Sequence, residues 1–105
     1  MRKALIKIHN SRAGILEENQ AHYIFQYDLD YDGPPVSLTM PVRAGAYEYE
    51  SFPPFFDGLL PEGIQLEGLL KIYKIDKIDY FSQLLVTGLD LVGAVTVEII
   101  NFSNE

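Results

Sequence analysis

Three carboxylates at alternate positions, Asp28, Asp30 and Asp32, followed by Gly33, form the densest set of potential metal ligands in the chain. That spacing can open a calcium loop, which also needs a bidentate carboxylate at its twelfth position. Counting from Asp28, the twelfth position is Thr39, inside an apolar run, and Gly33-Pro34-Pro35 breaks the loop geometry. An acidic surface loop fits these residues better than a metal site. Asp57 and Glu62 are a second pair, and paired carboxylates can do acid–base work on a glycoside. Their context gives them a simpler role: Asp57 falls in a short helix and Glu62 at the next helix start, where a carboxylate favours the helix dipole. His9 and His22, the two histidines, lie at no metal-ligand spacing and read as solvated or hydrogen-bonded. Ser11, Ser37, Ser51, Ser82 and Ser103 have no nucleophile elbow around them. A phosphate-binding glycine loop, a kinase lysine strand and a His-Arg-Asp loop are all missing from the sequence. The expectation is a chain without catalysis, cofactor or metal.

Chemistry of another kind is concentrated in Phe52-Pro53-Pro54-Phe55-Phe56-Asp57-Gly58-Leu59-Leu60-Pro61-Glu62-Gly63. Part of so apolar a stretch must be core. The Leu60-Pro61-Glu62-Gly63 corner is different, because proline and glycine set a loop there. An apolar corner on a stiff backbone loses little entropy on binding, which suits a partner anchor. A helix–helix turn with no partner is the plainer alternative.

The elements that must carry this corner can be read from periodicity. Residues 3–9 alternate, with Ala4, Ile6 and Ile8 on one face and Lys3, Leu5, Lys7 and His9 on the other. Asn10-Ser11 is a turn signal, and residues 12–17 return as a hairpin arm. Residues 22–28 alternate again, with Tyr23, Phe25 and Tyr27 sharing a face. Residues 28–35 form a loop, Val36 to Met40 a brief edge strand closed by Pro41, and residues 43–50 an irregular stretch. Pro53-Pro54 starts a first short helix. A second spans about 64–73, with Leu66, Leu69, Leu70 and Tyr73 on one stripe. Asp76 or Asp79 caps a third, where Phe81, Leu84 and Leu85 share a face and Gly88 is the stop. Ala94 to Ile100 alternates once more and closes the sheet. Strands, then helices, then a strand predict an α+β fold: a small antiparallel sheet, a meander plus a C-terminal strand, with two to three short helices packed to one side.

The 105 residues fit one domain, 1–105, large enough for a core without staples. No cysteine is present, so disulfides and thiolate metal sites are excluded. Lys7 interrupts the N-terminal apolar run too early for a signal peptide, and no apolar stretch approaches the roughly 20 residues of a membrane span. A cytoplasmic location is expected. Eight basic against fifteen acidic residues give a net charge of −7, with no basic stripe, which argues against direct nucleic-acid binding.

Five ordered blocks resemble the N-terminal subdomain of HipA-type toxin kinases. Phe55-Phe56-Asp57-Gly58-Leu59-Leu60-Pro61-Glu62 is similar to that family's Phe-Phe-(Asp/Glu)-(Asn/Gly)-Leu-Leu-Pro-(Asp/Glu) segment. Pro35-Val36-Ser37-Leu38-Thr39-Met40-Pro41 resembles its Pro-Leu-Ser-Leu-Ser-Leu-Pro strand. Gly14-Ile15-Leu16 with residues 22–27, residues 79–85 and residues 88–95 resemble further blocks in the same order. A free-standing subdomain of this kind resembles the HipS antitoxins of HipBST systems. The resemblance implies that the chain docks on a HipT-like Ser/Thr kinase toxin in trans and neutralises it, with a HipB-like helix-turn-helix protein supplying DNA binding. It implies a kinase-facing region of Asp57, Gly58, Leu60, Pro61, Glu62, Gly63, Ile64 and Gln65, with Phe55, Phe56 and Leu59 in the core. Relatives often carry tryptophan where this chain has Ile64. The alternative is a subdomain that completes or activates the kinase.

Overall fold

The structure is a computed structural model that describes residues 2–88 and 94–100. It contains five strands and three helices in chain order: β1 (Arg2–Ile8), β2 (Ser11–Asn19), β3 (His22–Tyr27), β4 (Tyr47–Tyr49), α1 (Pro54–Asp57), α2 (Gly63–Tyr73), α3 (Tyr80–Thr87) and β5 (Val95–Ile99). The strands make one antiparallel sheet in the order β4-β3-β2-β1-β5. This is the expected α+β architecture, with the C-terminal strand beside the first.

Two tight hairpins set the meander. Ile8 pairs with Ser11 and Asn19 with His22, leaving two-residue turns at His9-Asn10 and Gln20-Ala21. All four turn residues have positive φ, between 51° and 70°. Such turns twist with the strands they join. The first turn therefore sits one residue earlier than its sequence signal, and His9 lies in it instead of on a strand face. A bulge follows. Ile6 pairs with Gly14 but Lys7 with Arg12, so Ala13 is the extra residue, and its carbonyl accepts from the Asp28 amide at 2.8 Å.

Period-2 alternation fixes which face is buried. Ala4, Ile6, Ile8, Leu16, Tyr23, Phe25, Tyr27, Val95 and Val97, with Ala13 at the bulge, supply the sheet's share of the core. Onto it α1 places Phe56, whose ring centroid lies 5.9 Å from that of Phe25, and α3 places Phe81 and Leu84. Ile99 continues the alternation but is exposed, at the strand's end.

Two expectations are corrected. Val36 to Met40 is a turn, closed on itself by a Ser37–Met40 bridge, and not an edge strand. The buried Tyr27 hydroxyl explains it: it accepts from the Val36 amide at 2.9 Å and donates to the Met40 carbonyl, pulling both ends of the turn onto β3. The edge strand is instead β4, within the stretch read as irregular; Tyr47, Glu48 and Tyr49 pair with Phe25, Ile24 and Tyr23.

The close of the fold rests on Gly88. It ends α3 as expected, although its φ of −57° is ordinary and not left-handed. Its importance is contact: its carbonyl accepts from the Val97 amide at 3.0 Å, and a Cβ there would lie 2.0 Å from the Val97 carbonyl oxygen. Residues 89–93 of the Gly-x-Asp-x-Val-Gly-Ala-Val block, and Ser103, lie outside the described residues.

Candidate functional site

The corner is built by two helices that meet at an abrupt bend. Pro53 and Pro54 start α1 at no hydrogen-bonding cost, since a first turn has no intrahelical use for those amides. The helix lasts one turn. Leu59 and Leu60 donate back to the Phe56 and Asp57 carbonyls at 3.1 Å each, a tightened end. Pro61 then forbids further helix, Glu62 is extended, and Gly63 enters α2 at φ +60°, a conformation natural to glycine. The Glu62 side chain makes no cap hydrogen bond.

Burial divides the segment from Phe55 to Gln65, with Phe55, Phe56 and Leu59 expected in the core and the rest on the docking face. Phe56 is fully buried, while Phe55, Leu59 and Leu60 are half-buried against the core. Pro61 is half-buried too; Asp57, Gly58, Glu62, Gly63 and Gln65 are exposed. Ile64 is 85% exposed at the tip of the bend. The core thus grips the corner through Phe56 and Leu60 while Ile64 projects from it. Beside the corner lies a largely apolar groove of about 340 Å³, lined by Pro34, Val36, Phe55, Leu59 and Val95, with His9 also in its wall.

Other candidates find structural uses. Asp28 is engaged by Arg12 at 2.6 Å, so the acidic loop's first carboxylate is spent on an ion pair. Among the described residues, no group of three His, Asp or Glu side chains is placed to hold a metal ion. Asp79 caps α3, accepting from the Ser82 amide at 3.1 Å and the Ser82 hydroxyl at 2.7 Å. Burial works to raise its pKa, but hydrogen bonds from Arg2 and Ser82 outweigh this and hold the carboxyl below its ordinary value.

The reading of α2 as a helix packed through one stripe holds only in part. Leu66, Leu69 and Leu70 are half-buried, but Tyr73 is 55% exposed and α2 has no fully buried residue. Its opposite face also carries Ile72, 74% exposed. The missed signal was apolar residues on both sides of the helix, which a single-stripe reading ignores.

The family model described as HipA N-terminal domain matches residues 4–98. The chain belongs to the HipA N-terminal domain family. An uncharacterized protein of Haemophilus influenzae is similar to this HipA-family chain, 30% identical over 98 residues that make up 93% of this chain and 92% of the relative. A solved structure described as the N-terminal domain of HipA toxin matches with a TM-score of 0.78 and 27% identity, covering 98% of this chain and 96% of that one. The HipA N-terminal fold thus covers every strand and helix described above, including the 57–65 corner.

Proposed function

We propose that this chain is an antitoxin-like protein that binds a HipA-type Ser/Thr kinase in trans and neutralises it, docking through the corner 57–65. The observation that carries this reading is Ile64, a large apolar side chain held out in water on a backbone fixed by Phe56, Leu60 and Pro61. Covering such a side chain contributes roughly 1.5–3 kcal/mol. A bend that is already rigid loses little entropy when it docks. The relative supports a free-acting role: the match takes in 92% of its length, so a chain of single-subdomain size exists as a protein. The acidic charge of −7 suits a partner other than DNA, and a HipB-like helix-turn-helix protein would complete the complex in the cytoplasm. Among the described residues, no helix is long and apolar enough to cross a membrane.

The experiment is co-purification with the kinase encoded beside the gene, paired with growth of cells expressing that kinase. Recovery of a complex and restored growth are expected. Absence of a complex would remove the reading.

A second reading follows from the close match to the N-terminal domain of HipA toxin. A chain with that fold can complete a kinase that lacks its own copy, supporting activity. Co-expression separates the two, because completion increases toxicity and neutralisation relieves it.

A further inference from the structure

The outer face of α2 is built like half of a symmetric contact. Ile64, Gly68 and Ile72 recur every four residues and form one row along the helix. Ile64 and Ile72 are 85% and 74% exposed. Gly68 is the puzzle in this row. Glycine is the poorest helix former after proline, so a helix interior holds one at a cost. Nothing in the single chain needs it: a Cβ on Gly68 would meet no atom within 4 Å. A glycine between two exposed isoleucines does have a use when another backbone crosses there, because it lets helix axes approach closely.

The sequence around Gly68 says which backbone. Ile64 and Ile72 stand four residues to either side, and Glu62 and Lys74 six residues to either side. Acidic residues, Glu62 and Glu67, lie on the N-terminal half; basic ones, Lys71 and Lys74, on the C-terminal half; all four are exposed. None of these four takes part in an ion pair among the described residues. Reversing the helix direction about Gly68 leaves the apolar row unchanged and brings Glu67 to within two residues, about 3 Å along the axis, of the other copy's Lys71. This is the self-complementarity an isologous two-fold contact requires.

We propose that two copies of this chain pair through α2, antiparallel, about a two-fold axis at Gly68. Ile64 of each copy packs on Ile72 of the other, and Glu67 faces Lys71 along one flank of the seam. The net charge of −7 per chain opposes association at long range. At physiological salt, charges separated by more than about 8 Å are largely screened, so the close contacts decide. One helix pair makes a small interface, and the dimer is accordingly weak and concentration-dependent. Ile64 also belongs to the corner proposed above to meet a kinase, so a kinase covering it displaces the second copy.

Sedimentation equilibrium of the full chain alone, from about 10 µM to about 1 mM, measures the dimer without any kinase, so its failure leaves the docking proposal standing. A monomer–dimer equilibrium is expected. Gly68→Leu fills open space in the monomer, so it keeps or raises Tm, and it leaves the chain monomeric across the range. Glu67→Lys and Lys71→Glu each weaken the dimer roughly tenfold, and the double reversal restores it. A wild-type chain that stays monomeric at the top of the range overturns the proposal. So does a dimer that Gly68→Leu leaves unchanged, which would place the contact elsewhere.

Discussion

The Arg2 guanidinium donates to the Asp79 carboxylate at 2.9 Å, joining the first strand to the cap of the last helix. The same guanidinium donates to Glu18 and to the Ser82 hydroxyl, each at 2.7 Å, and sits 5.0 Å from the Phe81 ring centroid. Three elements are thereby closed around one cation. Its planar fork, with donors spread along an edge, suits this role better than a lysine would.

Asp79 makes this junction sensitive to acid. Its pKa is lowered in the fold, so the stabilisation is present above the unfolded value near 3.9 and is lost as pH falls through the folded value. Thermal melts from pH 7 down to about pH 2 should show an acid limb below about pH 4. Asp79→Ala should cost about 1 kcal/mol at pH 7 through loss of the cap, and should flatten that limb. An unchanged limb would place the acid sensitivity on other carboxylates.

Gly88→Ala tests the closing contact. The new Cβ would start 2.0 Å from the Val97 carbonyl oxygen and 2.8 Å from its carbonyl carbon, so backbone must shift to admit it. A loss of about 2–4 kcal/mol is expected, in the range of severe overpacking. Urea unfolding measures it. A loss under about 0.5 kcal/mol would mean the α3–β5 junction relaxes freely.

Ala21 offers the opposite test. It sits in the β2–β3 turn at φ 70°, where a Cβ crowds the following carbonyl. Ala21→Gly should stabilise by about 0.5–1 kcal/mol, the relief of strain exceeding the added freedom of the unfolded chain. Circular dichroism melts read the change, and a lowered Tm would count against a strained turn.

Ile64→Asp separates docking from folding. With the side chain 85% exposed, Tm should move by less than about 2 °C. Affinity for the kinase should fall by roughly tenfold or more, since the apolar contact is lost and a charge must be desolvated. Isothermal titration with purified kinase gives the number. Unchanged affinity would move the docking site off the corner.

Much of this was legible from the chain alone. The alternation of Ala4, Ile6 and Ile8, and of Tyr23, Phe25 and Tyr27, marked the buried face because side chains along a strand repeat every two residues. The third helix was announced by the capping preference of a short carboxylate at Asp76 or Asp79, and the structure chose Asp79. The 57–65 corner stood out by its proline, glycine and apolar content and by its resemblance to the HipA N-terminal domain.

The structure decided what no local pattern encodes. Tyr47-Glu48-Tyr49 is too short to show a period; only the free edge of β3 makes it a strand. Val36 to Met40 has strand-like composition, yet the Tyr27 hydroxyl, nine to thirteen residues away in sequence, bends it into a turn. Leu60 and Ile64 read alike as apolar residues, but one leans on the core and the other on water. Periodicity records which side of an element is apolar. What lies opposite that side is settled by contacts between residues far apart in the chain, and those exist only once it has folded.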